Sequence, residues 1–199
     1  MLCFCRSEME ELQINKDKYY RCPKCGYLKK SNILSSSEEK KRYDSHICDE
    51  GYLKYMENVY LKVKKYLKEG LSIDYGCGKI HALADIMNED NRLCKYYDLY
   101  YYNDEINDKF DNIILIEVFE HILNPLEFIK NLKSILNDNG NIIIMTKTIK
   151  EPLDKWWYLR DSTHISFFKE SSMKVLGEML GFDVLYNKDD EIFKLTKKN

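Results

Sequence analysis

The sequence predicts an α/β fold, a doubly wound, mostly parallel sheet with a small Cys-rich segment ahead of it. Three observations carry that prediction. From residue 71 onward, short apolar runs of strand length alternate with stretches of helical period, the pattern of a sheet covered by helices on both faces. The first of those runs ends in Asp74-Tyr75-Gly76-Cys77-Gly78, a strand that meets a glycine turn. Four of the seven cysteines fall early in the chain, as the pairs Cys3/Cys5 and Cys22/Cys25.

Each element has a local reason. Residues 1–34 are Cys-rich and lack a sustained period, residues 35–70 read as a helical cap, and residues 71–199 as the α/β domain. Ser35-Ser36-Ser37-Glu38 is a capping box that opens a helix. Tyr52, Tyr55, Met56, Val59, Tyr60, Val63, Tyr66 and Leu67 recur every three to four residues and make one apolar stripe. Gly70 is placed to stop that helix. Residues 71–75 form a strand, 81–89 a short helix, 95–97 a second strand ending at Asp98, and 112–116 a buried strand. Asn124-Pro125 is an N-cap and first-turn pair. It opens a helix with Leu126, Phe128, Ile129, Leu132, Ile135 and Leu136 on its inner side, running to Asn139-Gly140. A strand over 141–147 follows, then a helix over Glu170–Leu180 closed by Gly181. Strands over Phe182–Asn187 and 191–197 make a closing hairpin. In such a sheet a ligand lies at the carboxyl ends of the strands, where the strand order reverses.

Composition narrows the function. The chain has 199 residues, with 31 Lys and Arg against 33 Asp and Glu, so its net charge is −2. That excludes wrapping nucleic acid by bulk charge. At 44% apolar and 13% aromatic residues the chain can build a core, and 3 Pro with 8 Gly exclude collagen-like repeats. No apolar run approaches the roughly 20 residues that a bilayer demands. The N-terminus turns acidic at once, unlike a signal peptide. The expectation is a soluble, cytosolic protein whose cysteines bind metal or are buried rather than oxidised. The 16 tyrosines are read as compositional bias without functional weight.

Five motifs carry chemistry. In the first, an acid, Asp74, precedes the turn glycines Gly76 and Gly78, and His81 stands where a dinucleotide fingerprint has its third glycine. A carboxylate there would repel a pyrophosphate and suits a ligand with an ammonium and a sulfonium, S-adenosylmethionine. In the second, Asp98 lies 98 − 78 = 20 residues beyond Gly78, the spacing of a ribose-hydroxyl ligand. The third, Glu117-Val118-Phe119-Glu120-His121, follows the buried strand directly. The fourth, residues 156–165, crowds Trp156, Trp157, Arg160, Asp161, Thr163 and His164 into one segment and reads as a substrate lid. The fifth is Cys22-Pro23-Lys24-Cys25-Gly26, a zinc knuckle whose partner pair is Cys3 and Cys5, with Cys48 or His46 as substitutes. Cys77 and Cys94 read as buried, inert thiols.

Asp74 to Gly78, then Asp98, then Glu117 to Pro125, resemble class I S-adenosylmethionine-dependent methyltransferases, which have a Rossmann-like fold. The chain is also similar to a bacterial group of uncharacterised methyltransferases with an N-terminal Cys-pair, zinc-ribbon-like segment. That group carries segments similar to Arg42-Tyr43-Asp44-Ser45-His46 and to residues 156–164. The resemblance implies that Asp74, Gly76 and Gly78 hold the methionine end of the cofactor and that Asp98 binds the ribose. It further implies that Glu117 lines the pocket, that Tyr43 and His46 cap it, and that His121, Arg160, Asp161 and His164 lie near the methyl acceptor. Two departures stand out. Ile80 occupies a usual glycine position, and the segment from Asp98 to Asp111 is too short for the usual third strand and its helix.

The expected activity is methyl transfer to a small-molecule acceptor, with His164 or His121 as base and with Arg160 and Asp161 orienting the substrate. Two alternatives stay open. One is a catalytically degenerate fold acting as a binding module, and the other an RNA-modifying methyltransferase that grips RNA with the knuckle.

Overall fold

The computed structural model describes residues 1–198 and contains two sheets. The first is antiparallel and small. β1 (Glu10–Ile14), β2 (Asp17–Arg21) and β3 (Leu28–Lys30) pair in order, with Asn15 turning the first hairpin at a left-handed φ of 53°. Its fourth strand comes from far along the chain, since β8 (Ser166–Phe167) pairs with β3.

The second sheet has six strands. These are β4 (Ser72–Tyr75), β5 (Cys94–Tyr97), β6 (Phe110–Ile116), β7 (Leu136–Met145), β9 (Phe182–Asn187) and β10 (Ile192–Lys197), in the order β5-β4-β6-β7-β10-β9. The first four run parallel, and β10 runs antiparallel to both of its neighbours. This is the expected doubly wound, Rossmann-like sheet with its closing hairpin. Between β5 and β6 the described residues hold no further strand or helix.

Strand alternation sorts the apolar runs onto two faces. Ile113, Leu115, Ile142 and Ile144 point to one side, where Ile129 and Leu132 of α4 (Pro125–Ser134) and Met173 and Leu176 of α5 (Glu170–Leu180) cover them. Ile114, Ile143 and Met145 point to the other, under Met56, Val59 and Val63 of α2 (Glu50–Val63) and Leu83 and Met87 of α3 (Ala82–Glu89). A third cluster joins Ile14, Tyr19 and Leu28 of the small sheet to Trp156, Tyr158 and Phe167. None of the described helices is long and apolar enough to cross a membrane.

Two expected boundaries differ. The helix opened by Pro125 ends at Ser134, and Leu136 already pairs with Phe110 as β7 begins. The pairing resumes at Asn141 opposite Asn112, so residues 137–140 bulge out, with Asn139 left-handed at φ 57°. Ile135 and Leu136 satisfy a helical and a strand pattern equally, and the fully buried pairing partner Phe110 decides for the strand. The capping box at Ser35 is present and opens α1 (Ser36–Asp44), which buries none of its residues.

Candidate active site

The chain goes from β4 through α3 to β5 on one side, then returns to β6 on the other side of β4. At that reversal the carboxyl ends of β4 and β6 open a cavity of about 480 Å³. Its lining includes Asp74, Gly76, Gly78, Asp98, Glu117 and His121 from the sheet side, and Tyr43 and His46 from above.

Two glycines shape one wall. Gly76 has a φ of 93°, and a Cβ there would stand 2.5 Å from a methyl of Val118. Gly78 has a φ of 73° and open space where a Cβ would be. Gly76→Ala is expected to cost about 1–3 kcal/mol through backbone strain, read as a melting midpoint lower by several degrees. Ile80 turns away from this wall and packs against the core between α2 and α3, so it does not crowd the cavity.

Asp98 is held by backbone N–H groups. Gly78 donates to its Oδ2 at 2.9 Å, and Tyr100 and Tyr101 donate to its Oδ1 at 2.8 and 3.3 Å. Asp74 is buried, and burial, followed by the charge of Asp98, pushes its carboxyl up to about 7. Neither acid has a Lys, Arg or His partner among the described residues, and Lys79, which also lines the cavity, donates instead to the Asp44 and His46 carbonyls.

The far wall is made by the residues after β6. Glu117 sits at a left-handed φ of 51°, and its buried Oε1 has no hydrogen-bond partner. The Tyr158 hydroxyl bridges its Oε2, at 2.9 Å, and the carboxyl of fully buried Glu120. Thr146 donates to Glu120 at 3.0 Å. Burial and then the neighbouring Glu120 push Glu117 up to about 8, and burial likewise raises Glu120.

His121 and His164 are brought together, with ring centroids 4.8 Å apart. The link is made by Ile165, whose N–H donates to the Glu120 carbonyl at 2.9 Å, and by Ser166, whose hydroxyl donates to the Ile122 carbonyl at 2.6 Å. His121 Nδ1 lies 3.1 Å from the Thr163 carbonyl and His164 Nδ1 lies 2.9 Å from the Tyr158 carbonyl. A carbonyl only accepts, so each Nδ1 carries the proton and each Nε2 keeps a lone pair. Burial lowers both imidazoles, His164 to about 4, and both are neutral at pH 7.

α1 closes the cavity from above. The Tyr43 ring lies edge-on to His121 at 5.5 Å, and near Tyr100 at 5.7 Å and His46 at 6.0 Å. Glu39 accepts from the hydroxyls of Tyr43 and Tyr100 at 2.9 and 2.6 Å. Seven of the 16 tyrosines line this cavity, a weight that composition alone did not reveal.

Other expected residues lie elsewhere. Arg160 is exposed and outside the cavity wall. Asp161 pairs with Arg42 of α1 at 2.9 Å. Burial works against its charge, but the Thr163 hydroxyl and N–H outweigh burial and hold the carboxyl below the usual range. His164 stands behind His121, one layer from the cavity. The segment expected to be a lid is instead a packed wall, with Trp156, Tyr158 and Leu159 buried against the small sheet and with Trp157, Arg160 and Ser162 exposed. Sequence reasoning placed Tyr158 in the 156–165 motif without a role and left out Thr146, and the roles of both depend on a fold contact with Glu120.

Cys3, Cys5, Cys22 and Cys25 converge, and their sulfurs all lie within 4.8 Å of one another. Cys3 and Cys25 sulfurs are 3.6 Å apart, and Cys5 and Cys22 sulfurs 3.5 Å. These separations are too long for disulfides. They approach the sulfur–sulfur edge of about 3.8 Å that a tetrahedron with 2.3 Å zinc–sulfur bonds requires. Cys48 is exposed, while Cys77 and Cys94 are buried as expected.

A protein-family model described as a methyltransferase domain matches residues 52–187. No curated protein matches the chain. Among solved structures, a SAM-dependent methyltransferase of Thermotoga maritima superposes with a TM-score of 0.50 at 16% identity, over 81% of this chain and 96% of its own. Magnesium protoporphyrin IX methyltransferase of Synechocystis, solved with bound SAH, gives 0.54 at 16%, over 81% and 94%. A SAM-dependent methyltransferase of Bacteroides fragilis, in complex with S-adenosyl-L-homocysteine, gives 0.51 at 12%, over 71% and 77%. These likenesses show the shared fold, and the matched domain shows the family: the chain belongs to the methyltransferase-domain family.

Proposed function

We propose that this enzyme transfers a methyl group from S-adenosylmethionine to a small acceptor held between α1 and the loops bearing His121 and His164. The observation that carries the reading is the pair of acids, Asp74 and Asp98, that face the cavity beside the glycine turn with no cation partner. A cationic ligand with a ribose supplies what both acids lack.

The fit is local and specific to these residues. Asp98, already oriented by three backbone N–H groups, would hold the ribose hydroxyls. Asp74, Gly76 and Gly78 would hold the methionine end, where the open space at Gly78 admits close approach. Glu117 would line the pocket, and Tyr43 and His46 would cap it. When bound, the cofactor supplies an activated methyl group on a sulfonium. The protein then contributes position, exclusion of water by the tyrosine wall, and a neutral imidazole at His121 that can accept the acceptor's proton at Nε2. His164 sits behind that imidazole, and Asp161 anchors the rim through Arg42.

Residues 1–34 are assigned as a zinc-bound knuckle, 35–70 as a cap and 71–199 as the catalytic domain. The knuckle assignment is supported by the four converging sulfurs. Cysteines held as metal-binding thiolates rather than as disulfides favour a reducing, cytosolic setting.

Thermal melting with S-adenosylmethionine and with its demethylated product tests the reading. Ligand at about 100 times its dissociation constant adds roughly 2.7 kcal/mol, or about 5–10 °C in this chain. A shift with both is the expected result, and none at millimolar ligand would overturn it.

The pH dependence is a second expectation. The Asp74 carboxyl titrates at about 7 in the folded, ligand-free protein, above its unfolded value. It therefore holds a proton that the unfolded chain has lost, and this contribution to stability fades as pH rises toward 7. A cationic ligand favours the ionised form, so its affinity should rise by about tenfold from pH 6 to pH 8. Calorimetry on the wild type and on Asp74→Asn, which should bind more weakly and lack that slope, checks this.

A further inference from the structure

We propose that Glu120, His121 and His164 form a site for a divalent transition-metal ion at the inner end of the cavity, separate from the four cysteines. The ligand atoms these three residues offer lie within 4.8 Å of one another. They come from two loops far apart in sequence, fastened to each other by the Ile165 and Ser166 hydrogen bonds.

The histidines are prepared as ligands. Each donates its Nδ1–H to a backbone carbonyl, Thr163 for His121 and Tyr158 for His164. That arrangement fixes the ring and the tautomer of metal-binding histidines and leaves Nε2 free to coordinate. Glu120 is likewise oriented, by Thr146 and Tyr158.

A second observation points the same way. Glu120 is 0% exposed, and Glu117 lies beside it across the Tyr158 hydroxyl. No Lys or Arg pairs with either among the described residues. A buried carboxyl group keeps its negative charge only when it is paired or coordinates a metal. Glu117 Oε1 is itself buried without a partner. A divalent cation supplies the positive charge that Glu120 lacks, and two imidazoles with one carboxylate suit zinc, iron, manganese or cobalt.

Three protein ligands leave a coordination position open, unlike the closed set of four sulfurs. Of the three ligands His121 lines the cavity, and a further ligand reaches the ion from that side. The acceptor then belongs to the class with an ionisable oxygen, a phenol or hydroxy compound, and this part rests on the methyltransferase reading. With its Nε2 on the metal His121 no longer serves as the base, and the bound oxygen loses its proton to water instead. Its new bond to the methyl carbon forms as the carbon–sulfur bond breaks, and that bond's electron pair stays on sulfur.

Cobalt(II) is the probe. The full chain, carrying one zinc per four cysteines, is dialysed against cobalt(II). The expected result is a second metal per chain with visible d–d bands, no thiolate charge-transfer band, and two exchangeable, paramagnetically shifted imidazole N–H resonances. Glu120→Gln, with cooperative melting as proof of folding, should bind that cobalt at least about tenfold more weakly. No second metal, thiolate bands alone, or unchanged binding by Glu120→Gln would overturn the site. If Glu120→Gln fails to fold, the imidazole resonances of the wild type decide. Cobalt binding with these signals, but no melting shift with S-adenosylmethionine, would leave the metal site standing and remove the methyl-transfer reading.

Discussion

Asp98→Ala is expected to abolish measurable cofactor binding, with a loss of roughly 3–6 kcal/mol, or about 150- to 20,000-fold in Kd. The magnitude follows from two ribose hydroxyls that lose a charged acceptor, each worth about 1.5–3 kcal/mol. The local structure adds to it. The same carboxylate accepts from Gly78, Tyr100 and Tyr101, so its loss frees both the glycine turn and the loop after β5. Asp98→Asn keeps one acceptor oxygen and should fall between the alanine variant and the wild type. Calorimetry with the demethylated product is the measurement. Affinity of Asp98→Ala within threefold of the wild type would place the ribose elsewhere.

Removing the knuckle metal is expected to have the largest effect on stability. Zinc binding in zinc-finger peptides is worth roughly 10–16 kcal/mol at neutral pH. Here β8 and the main core also support the small sheet, so only part of that energy is at stake. Cys3, Cys22 and Cys25 are nonetheless part of the cluster that covers one face of the large sheet. Cys22→Ser with Cys25→Ser should lower the melting midpoint by about 10 °C or more, at roughly 2–4 °C per kcal/mol. Zinc content and melting curves of both proteins check it. A wild type that purifies metal-free and melts like the double variant would refute the zinc assignment. The damage should also reach the cavity, because Tyr27 follows the knuckle and its hydroxyl holds Ser166 at 2.7 Å.

The large sheet was legible because its signals are local. The glycine turn after Asp74, the capping box at Ser35, Pro125 at a helix start and Gly181 at a helix end each act within a few residues. The small sheet was not legible for the opposite reason. Its strands are at most five residues long, and its fourth, β8, has two residues and lies more than a hundred positions away. The cofactor-side residues were readable from spacing, as with Asp98 beyond Gly78. Tyr158, Thr146 and the surface position of Arg160 were not, because each depends on how residues 146–168 fold back over the helical turn at Phe119–His121. The packing of Ile80 against α2 follows from the same kind of long-range contact.

α1 has no fully buried residue, and on the methyl-transfer reading that makes it the way out for a spent ligand. It is fastened by Glu39 to Tyr100, Asp44 to Tyr101, Arg42 to Asp161 and the Lys79 ammonium to the His46 carbonyl. Exposed polar contacts of this kind are worth about 0.2–1 kcal/mol each, so with the part-buried Glu39 bond and the Tyr43 ring contacts swinging the helix aside costs several kcal/mol. The sheet and its glycine turn need not move for this. The exit door can therefore open on the microsecond-to-millisecond scale while the scaffold stays folded. Salt weakens the charged fastenings more than the rest of the molecule. The residence time of the product should then shorten as ionic strength rises, even where the stability of the whole chain does not change.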